Sequence, residues 1–315
     1  QKSPTVFAQM LAFILFFALS GDTALAAYSR QETNRAIEVT DAAKDATVNL
    51  YCRLKAGKKT YSTSGSGVFV SERGVILTNA HVAQYFLLAG EKGRVTGRCS
   101  VRTGSPAKAR YTASVLYFPS IWVEQNASEL NKNQPKGTGE NDFALLYITG
   151  AKKGALPKEF PALAIDTIGS TTRDEALTIA GYPTEGLDFD EVRASLVLAA
   201  ASSTVTSTHG FGRAQSTDLL ALAPSAAGSA GVSGGPIVNN EGEIVAIAAI
   251  KSAAKGDRTL RAITISYIDR IMRSQASLPL AFFLSGDLAA QASSTRATIS
   301  PEIIKTIANG LLKKR

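Results

Sequence analysis

Short apolar runs separated by turn residues make up most of this chain, and this pattern restricts it to a mainly β architecture. The runs are rich in Val, Ile and Thr from Thr47 onward, whereas the spacing typical of long helices is scarce before residue 260. Of the 315 residues, 45% are hydrophobic, so the chain is long enough for one large domain or two small ones with buried cores. We therefore expect an all-β fold.

The predicted strands fall into two sets. The first set occupies about residues 47–150 and the second about residues 175–255, with a linker from Thr149 to Asp174 between them. Between the last strands of the first set, residues 119–139 have the Asn, Lys, Pro and Gly content of an exposed loop. Two sets of short strands predict two packed β-barrels.

Helical spacing of apolar residues begins only near the C-terminus. Residues 266–275 predict a closing helix, and residues 276–315 form a separate tail. Within the tail, Ser300–Glu302 is typical of a helix start, because it provides a cap residue, a first-turn proline and an early acid. The apolar residues that then line one face are Ile303, Ile307 and Leu311. We expect this face to pack on the barrels; a partner protein is the alternative.

The N-terminal residues match a secretory signal peptide. Lys2 precedes an apolar core from Val6 to Leu19, and Ala24–Ala26 follows as an exit of the A-x-A type. The core has 14 residues, whereas a membrane-spanning helix needs about 20. We therefore interpret residues 1–26 as a signal peptide, followed by a polar segment at 27–46, and expect an exported protein (periplasmic, cell-envelope or secreted). An uncleaved anchor, which would attach the protein to a membrane, is the alternative.

The two cysteines and the charge balance limit the remaining function classes. Export places Cys52 and Cys99 where disulfides form, so a Cys52–Cys99 bridge is our preferred hypothesis, with two separately buried thiols as the alternative. Two cysteines and two histidines leave little room for a zinc site. The net charge is +8, but the sequence has neither an Arg/aromatic platform nor a helix-turn-helix pattern, so nucleic-acid binding is not expected.

One serine, Ser233, lies among glycines in the stretch Gly231–Pro236, just before an apolar strand. A serine hydroxyl is a weak nucleophile unless a base takes its proton and an oxyanion site receives the developing charge. Gly231 can turn its backbone so that its N–H and that of Ser233 point at one spot, and the glycines after the serine leave room for a substrate. An ordinary turn is the alternative interpretation of this motif.

A base and an acid that suit Ser233 occur elsewhere in the chain. His81 follows an apolar strand and opens a helix, whereas His209, the second of two histidines, lies in a glycine-containing loop. Asp142 begins an otherwise apolar strand, where a carboxylate is costly to bury without a partner. A solvated strand start is the alternative for Asp142. Such an acid can fix the imidazole tautomer and stabilise its charged form.

Three blocks of this sequence together resemble the trypsin-like serine peptidases, with the closest likeness to the exported bacterial Deg/HtrA branch and other bacterial trypsin-like peptidase-domain proteins. The blocks are GSGVFVSERGVILTNAHV (65–82), NDFALLYI (141–148) and GVSGGPIVNNEGEIVAI (231–247), within a likeness that covers residues 47–275. The resemblance implies two packed antiparallel six-stranded β-barrels of the chymotrypsin type. It also implies a serine endopeptidase that acts on polypeptides without a cofactor.

By resemblance, His81 is the general base, Asp142 its orienting acid and Ser233 the nucleophile. The N–H groups of Gly231 and Ser233 would form the oxyanion hole. Ala227, six residues before the serine, stands where the family has the base of its primary pocket. Because alanine is uncharged, we expect a preference for small or medium apolar substrate side chains.

The sequence departs from the family pattern in three places. Val232 replaces the usual Asp or Asn before the nucleophile, so we expect an oxyanion hole that forms only conditionally. No Ile-Val-Gly-Gly-like start precedes the first barrel, so activation by N-terminal cleavage is not expected. The 40 residues after Gln275 are too few for a PDZ domain. A catalytically silent barrel pair that binds peptides or a partner is the main alternative, and an esterase is the second.

Overall fold

Two closed six-stranded antiparallel barrels form the centre of the protein, which confirms the predicted fold class. The structure is a computed structural model that describes residues 29–89, 95–130, 137–169, 171–212, 216–251 and 259–313. The predicted signal peptide at residues 1–26 lies outside the described residues. Among the residues described, no helix is both long and apolar enough to cross a membrane.

The first barrel closes in the strand order β1-β2-β3-β6-β5-β4. Its strands are β1 (Thr47–Ala56), β2 (Lys59–Ser71), β3 (Val75–Thr78), β4 (Val95–Thr103), β5 (Lys108–Tyr117) and β6 (Ala144–Ala151). Alternate residues of β1, including Leu50 and Leu54, point into the barrel core. Cys52 of β1 pairs directly with Cys99 of β4, and a disulfide joins the two residues.

The second barrel closes in the order β10-β11-β12-β9-β8-β7. Its strands are β7 (Ala176–Gly181), β8 (Ala199–His209), β9 (Leu219–Leu222), β10 (Pro236–Val238), β11 (Ile244–Lys251) and β12 (Leu260–Thr264). The strand β12 lies beyond residue 255, the predicted end of the second set of strands. Leu260 and Ala262 of this strand are buried in the barrel core, so their burial explains the additional strand.

Eight described helices surround the barrels. They are α1 (29–46), α2 (Ala80–Leu88), α3 (Ser120–Asn126), α4 (Phe189–Ala194), α5 (Ile265–Gln275), α6 (Leu280–Ser285), α7 (Leu288–Thr298) and α8 (Pro301–Lys313). Helix α3 corrects the prediction of a loop at 119–139. Trp122 and Val123 are buried there, and Trp122 packs edge-on against Phe118, so apolar burial outweighs the polar composition of the segment.

The C-terminal tail packs on the first barrel, as we expected from its apolar face. Ile307 and Leu311 of α8 join the core of that barrel. The guanidinium of Arg73 donates to the carbonyls that end α6, and the Thr295 hydroxyl of α7 donates to Leu116 O at 2.7 Å. The tail is therefore part of the covering of the first barrel.

A shared apolar core holds the two barrels together. Val68 and Leu77 of the first barrel and Ile247 and Ile263 of the second belong to one buried cluster, which also contains residues of α1 and α5. This core fixes the position of the first barrel's polar loops relative to those of the second.

Candidate active site

His81 lies at the start of α2, where the chain turns out of the buried strand β3. Asp142 binds it twice: Asp142 Oδ1 accepts the backbone N–H of His81 at 2.9 Å, and Oδ2 lies 2.7 Å from the ring Nδ1. The Asp142 side chain is buried, whereas that of His81 keeps 31% exposure. A carboxylate at Nδ1 favours the tautomer with the proton there, which leaves Nε2 of the neutral ring as a proton acceptor.

The charge of Asp142 also sets the protonation of His81. Burial lowers the pKa of His81, but the nearby Asp142 carboxylate and its hydrogen bond raise it by more, so the pKa lies above its ordinary value. The pair therefore stabilises the imidazolium that forms when His81 accepts a proton.

The loop that presents Asp142 is held from the far side by α5. Asn141 has φ of 57°, a left-handed conformation that asparagine tolerates better than most residues. Its N–H donates to the Tyr267 hydroxyl at 3.0 Å, and its side-chain oxygen accepts from Gln275 Nε2 at 3.1 Å. The Asn79 side chain donates to Asp142 O at 2.9 Å. Sequence reasoning missed these supports, and the asparagine before Asp142 was the one local signal of a special backbone.

The Ser233 loop depends on glycines at two positions. Gly231 has φ of 92° and Gly234 has φ of 86°, a region that favours glycine. A Cβ on Gly231 would also lie 2.5 Å from Tyr182 O, and a Cβ on Gly234 would collide with Ser66 O. The loop therefore requires these glycines both for backbone conformation and for space.

The peptide groups on either side of the loop's tip have fixed orientations. The carbonyl of Ala230 accepts from the N–H of Thr184 at 2.6 Å, and that of Val232 accepts from the N–H of Gly235 at 2.8 Å. In a trans peptide the N–H points opposite to the carbonyl. The N–H groups of Gly231 and Ser233 therefore point away from these contacts, and within the described part of the chain neither has a hydrogen-bond partner. Both donors are available without a polar side chain at position 232.

Val232 and Ser66 support this loop in place of the polar residue that the family usually has. The Val232 side chain is completely buried in the core of the second barrel, next to Gly181. From the first barrel, the Ser66 hydroxyl accepts the N–H of Tyr182 at 2.9 Å and donates to Gly231 O at 2.8 Å. The Ser66 backbone N–H donates to Ser233 O at 2.8 Å. Sequence reasoning missed Ser66, although the first of the three blocks shows this serine between two glycines.

The Ser233 hydroxyl itself points at a backbone carbonyl. Its Oγ donates to Ala249 O at 3.3 Å, and no hydrogen bond joins it to His81, both residues being described. Hydrogen bonds between nucleophile and base are often long or poorly aligned in proteins without substrate. For Ser233 to pass its proton to His81, the hydroxyl would first have to rotate away from Ala249.

The sequence analysis also considered Ala227 and His209, and neither of them contacts the Asp142–His81 pair through a described hydrogen bond. Ala227 is completely buried in the core of the second barrel, so its role at the base of a substrate pocket stays a prediction. His209 ends β8, and its Nε2 lies 2.9 Å from the Ser207 hydroxyl. The structure thus brings His81, and not His209, to Asp142.

The comparisons with known proteins give a family match for this part of the chain. Residues 65–247 match the family described as the trypsin-like peptidase domain. This match covers more than half of the chain and contains His81, Asp142 and Ser233. No curated protein matches the chain.

Proposed function

Because the chain belongs to the trypsin-like peptidase domain family, we propose that it is a serine endopeptidase that uses His81, Asp142 and Ser233. The observation that carries this proposal is the double contact of the buried Asp142 carboxylate with the ring and the backbone of His81. A buried carboxylate that fixes the position and tautomer of an imidazole suits general base catalysis.

The first half of the proposed reaction forms an acyl-enzyme. His81 Nε2 takes the hydroxyl proton of Ser233 while Oγ bonds to the carbonyl carbon of the substrate. The carbonyl oxygen becomes an oxyanion, which accepts hydrogen bonds from the N–H groups of Gly231 and Ser233. The carbon–nitrogen bond then breaks as His81 returns the proton to the leaving amine.

Hydrolysis of the acyl-enzyme completes the cycle. Water loses a proton to His81 and bonds to the acyl carbon, and a second oxyanion forms at the same two N–H groups. The carbon–Oγ bond breaks, Ser233 regains its proton from His81, and the acid product leaves. Asp142 stays ionised throughout and stabilises the imidazolium. These steps require no metal or organic cofactor.

We also propose that the enzyme acts outside the cytoplasm on polypeptides with small or medium apolar side chains before the scissile bond. The sequence of residues 1–26 supports export, and the Cys52–Cys99 bridge is a feature of oxidising compartments. The uncharged Ala227 supports the apolar preference.

A catalytically silent peptide-binding protein is the second candidate, and one observation favours it. The Ser233 hydroxyl bonds to Ala249 O, not to His81. If that hydrogen bond persisted with substrate bound, peptides would bind without being cleaved.

A fluorophosphonate probe, which labels only activated serines, separates the two candidates. Wild-type protein beginning at Ala27 would be compared with Ser233→Ala and His81→Ala, with His209→Ala as the matched histidine control and folding checked for each. We expect labelling of wild type and His209→Ala, its loss in Ser233→Ala, and a large decrease in His81→Ala. Absence of labelling in folded wild type would contradict the peptidase proposal. Matched amide and ester substrates would then distinguish a peptidase from an esterase.

A further inference from the structure

The outer surface of the first barrel carries a strip of cations that we call the basic face. Its members are exposed and lie on β1, on β4 and at the β1–β2 turn: Arg53, Lys55, Lys58, Lys59 and Arg98. The three strands β1, β2 and β4 contain no Asp or Glu at all. Lys313, exposed at the end of α8, follows Leu312, which lies beside Gly57 of the same turn. The tail therefore adds positive charge to this surface.

Two arginines of the basic face stand directly opposite each other. Arg53 and Arg98 are partners in the β1–β4 register, and like charges in that position destabilise a sheet. Within the described residues, neither arginine has an ion pair with an acid. The next pair in the register is the Cys52–Cys99 disulfide, which holds the two strands together beside the repelling charges. An anion bound between the two arginines would relieve this repulsion.

The acids of the adjoining helix α4 are already engaged. Asp188 and Glu191 form the capping box of α4, and Asp190 pairs with Arg193 at 3.0 Å. The same helix contacts the strands through its other end, where the Arg102 guanidinium donates to the carbonyls of Val192 and Arg193. Among the described residues, no acid of this helix forms an ion pair with a member of the basic face.

The basic face begins close to the proposed nucleophile. Strand β2 touches the Ser233 loop at Ser66, and Arg53 pairs with Ser62, four residues further along β2. At 3.3 Å per residue this separation is about 13 Å, which four extended residues of a bound peptide span. The predicted pocket residue Ala227 belongs to the other barrel. A substrate whose side chain before the scissile bond enters near Ala227 would thus continue toward the first barrel after it.

We propose that the basic face docks an acidic segment of the polypeptide substrate, starting about four residues C-terminal to the scissile bond. This inference rests on the proposed peptidase function and adds a substrate class to it. A polypeptide suits the site better than a membrane or a nucleic acid. The face is only three strands wide, or about 10 Å, and Tyr51, its aromatic neighbour, is already covered by the Arg102 guanidinium at 4.6 Å.

Binding and turnover would be measured on two fluorescent peptides that differ only in three Glu or three Gln residues at the fourth to sixth positions after the scissile bond. Binding uses anisotropy in the Ser233→Ala background, and turnover uses protein with an intact Ser233. The test variant is Arg53→Gln/Arg98→Gln, and the control is Lys152→Gln/Lys153→Gln, which removes the same charge from another exposed part of the barrel.

We expect the Glu peptide to bind about tenfold more tightly at low salt, through a few exposed ion pairs. In turnover, the preference for the Glu peptide should appear as a lower KM. It should be lost in the arginine variant and kept in the lysine control. At high salt it should become weaker, because ions screen exposed charges. A Glu preference would itself overturn the inference if it survived in the arginine variant. It would also do so if both double variants lost it equally, because that result would indicate an effect of net charge alone.

Anionic vesicles of phosphatidylglycerol and phosphatidylcholine test whether the basic face binds a membrane and not an acidic peptide. Sedimentation with these vesicles that depends on Arg53 and Arg98, without any preference for the Glu peptide, would assign the face to a membrane and overturn the inference. Active wild type without a Glu preference would refute the docking alone. Glu-dependent binding without turnover by any protein would refute the peptidase function and leave the docking surface standing.

Discussion

The Asp142 loop and the Ser233 loop are held in place by different forces. Charge holds the first: the Asp142 carboxylate binds both the ring and the backbone of His81 inside one barrel. Backbone geometry holds the second, through left-handed glycines, peptide–peptide hydrogen bonds and the buried Val232. Changes to the first loop should therefore move the pH dependence of the reaction, whereas changes to the second should weaken transition-state binding at every pH.

Each loop also receives a hydroxyl from the opposite side of the molecule. Ser66 of the first barrel binds Gly231 in the second, and Tyr267 of α5, behind the second barrel, binds Asn141 in the first. The Ser66 hydroxyl binds the carbonyl of Gly231, whose own N–H is a proposed oxyanion donor. The Tyr267 hydroxyl binds the N–H of Asn141, the residue before Asp142. The proposed site is complete only when the two barrels are packed together.

The largest effect is expected from Asp142→Asn. This change removes the charge that stabilises the imidazolium and favours the wrong tautomer, so kcat/KM should fall by about 10⁴-fold. Because Asp142 raises the pKa of His81, and His81 must be neutral to accept a proton, the acid limb of the remaining activity should move to lower pH. A pH profile of kcat/KM measures both effects.

Asp218→Asn is the control for this experiment. Asp218 is a completely buried acid of the second barrel that pairs with Arg270 at 2.6 Å. Its loss should decrease stability but leave the acid limb where it is in wild type. An unchanged acid limb in Asp142→Asn would contradict the assignment of the Asp142–His81 pair.

The next largest effect is expected from Val232→Asn, which introduces the residue type that the family usually has. Val232 is completely buried among apolar side chains, so the amide would lose its hydration and the core would lose a valine. We expect the free energy of unfolding to decrease by about 3 kcal/mol, as measured by denaturant titration. If the variant were instead as stable as wild type and faster, the oxyanion hole of wild type would be incompletely formed.

A smaller effect is expected from Ser66→Ala, with Ser64→Ala as the matched control on the same strand. The first change leaves Tyr182 N–H and Gly231 O unpaired beside the oxyanion donors. The second removes only the acceptor of the Asn49 side chain, at 2.9 Å. We expect kcat to fall by about 10- to 100-fold in Ser66→Ala, with KM and the pH profile unchanged.

Affinity for a peptide boronate, which binds Ser233 as a tetrahedral anion, should fall together with kcat in Ser66→Ala. Both hydroxyl removals would decrease stability, so stability alone does not distinguish them. Equal kcat values in the two variants would show that Ser66 supports the fold and not the oxyanion loop.

The sequence could predict the features that depend on local patterns, but not the contacts between residues that are far apart in the chain. The strands follow from local alternation, and the triad candidates follow from three blocks whose order and residue types resemble one family. The hydrogen bonds that support the two loops do not follow from the sequence, because Ser66 and Gly231 are 165 residues apart, and Asn141 and Tyr267 are 126 residues apart. No local pattern encodes such contacts. The burial of Val232 in an apolar core could not be predicted for a related reason, because it depends on the packing of the second barrel. Whether the oxyanion hole forms only conditionally stays a prediction.

The smallest effect is expected from Tyr267→Phe, which removes a single hydrogen bond from the Asp142 loop. Asn141 N–H would lose its acceptor, at a cost of about 1 kcal/mol in stability. The loop would keep its contacts from Gln275 and Asn79, so kcat/KM should fall only about threefold. A fall of more than about tenfold would contradict the view that these two contacts suffice to hold the loop. Burial raises the pKa of Tyr267 to about 12, so the phenol stays neutral and its loss should not alter the alkaline limb.

Tyr117→Phe is the control, because the Tyr117 phenol has a pKa that burial also raises to about 12. Its hydroxyl also reaches α5, but donates to the Gln275 side chain at 3.0 Å. Equal losses of kcat/KM in the two variants would mean that the Tyr267 phenol supports the loop no more than the Gln275 side chain does, since Gln275 also contacts Asn141. A loss confined to Tyr267→Phe would show that the phenol positions Asp142 through the backbone of Asn141.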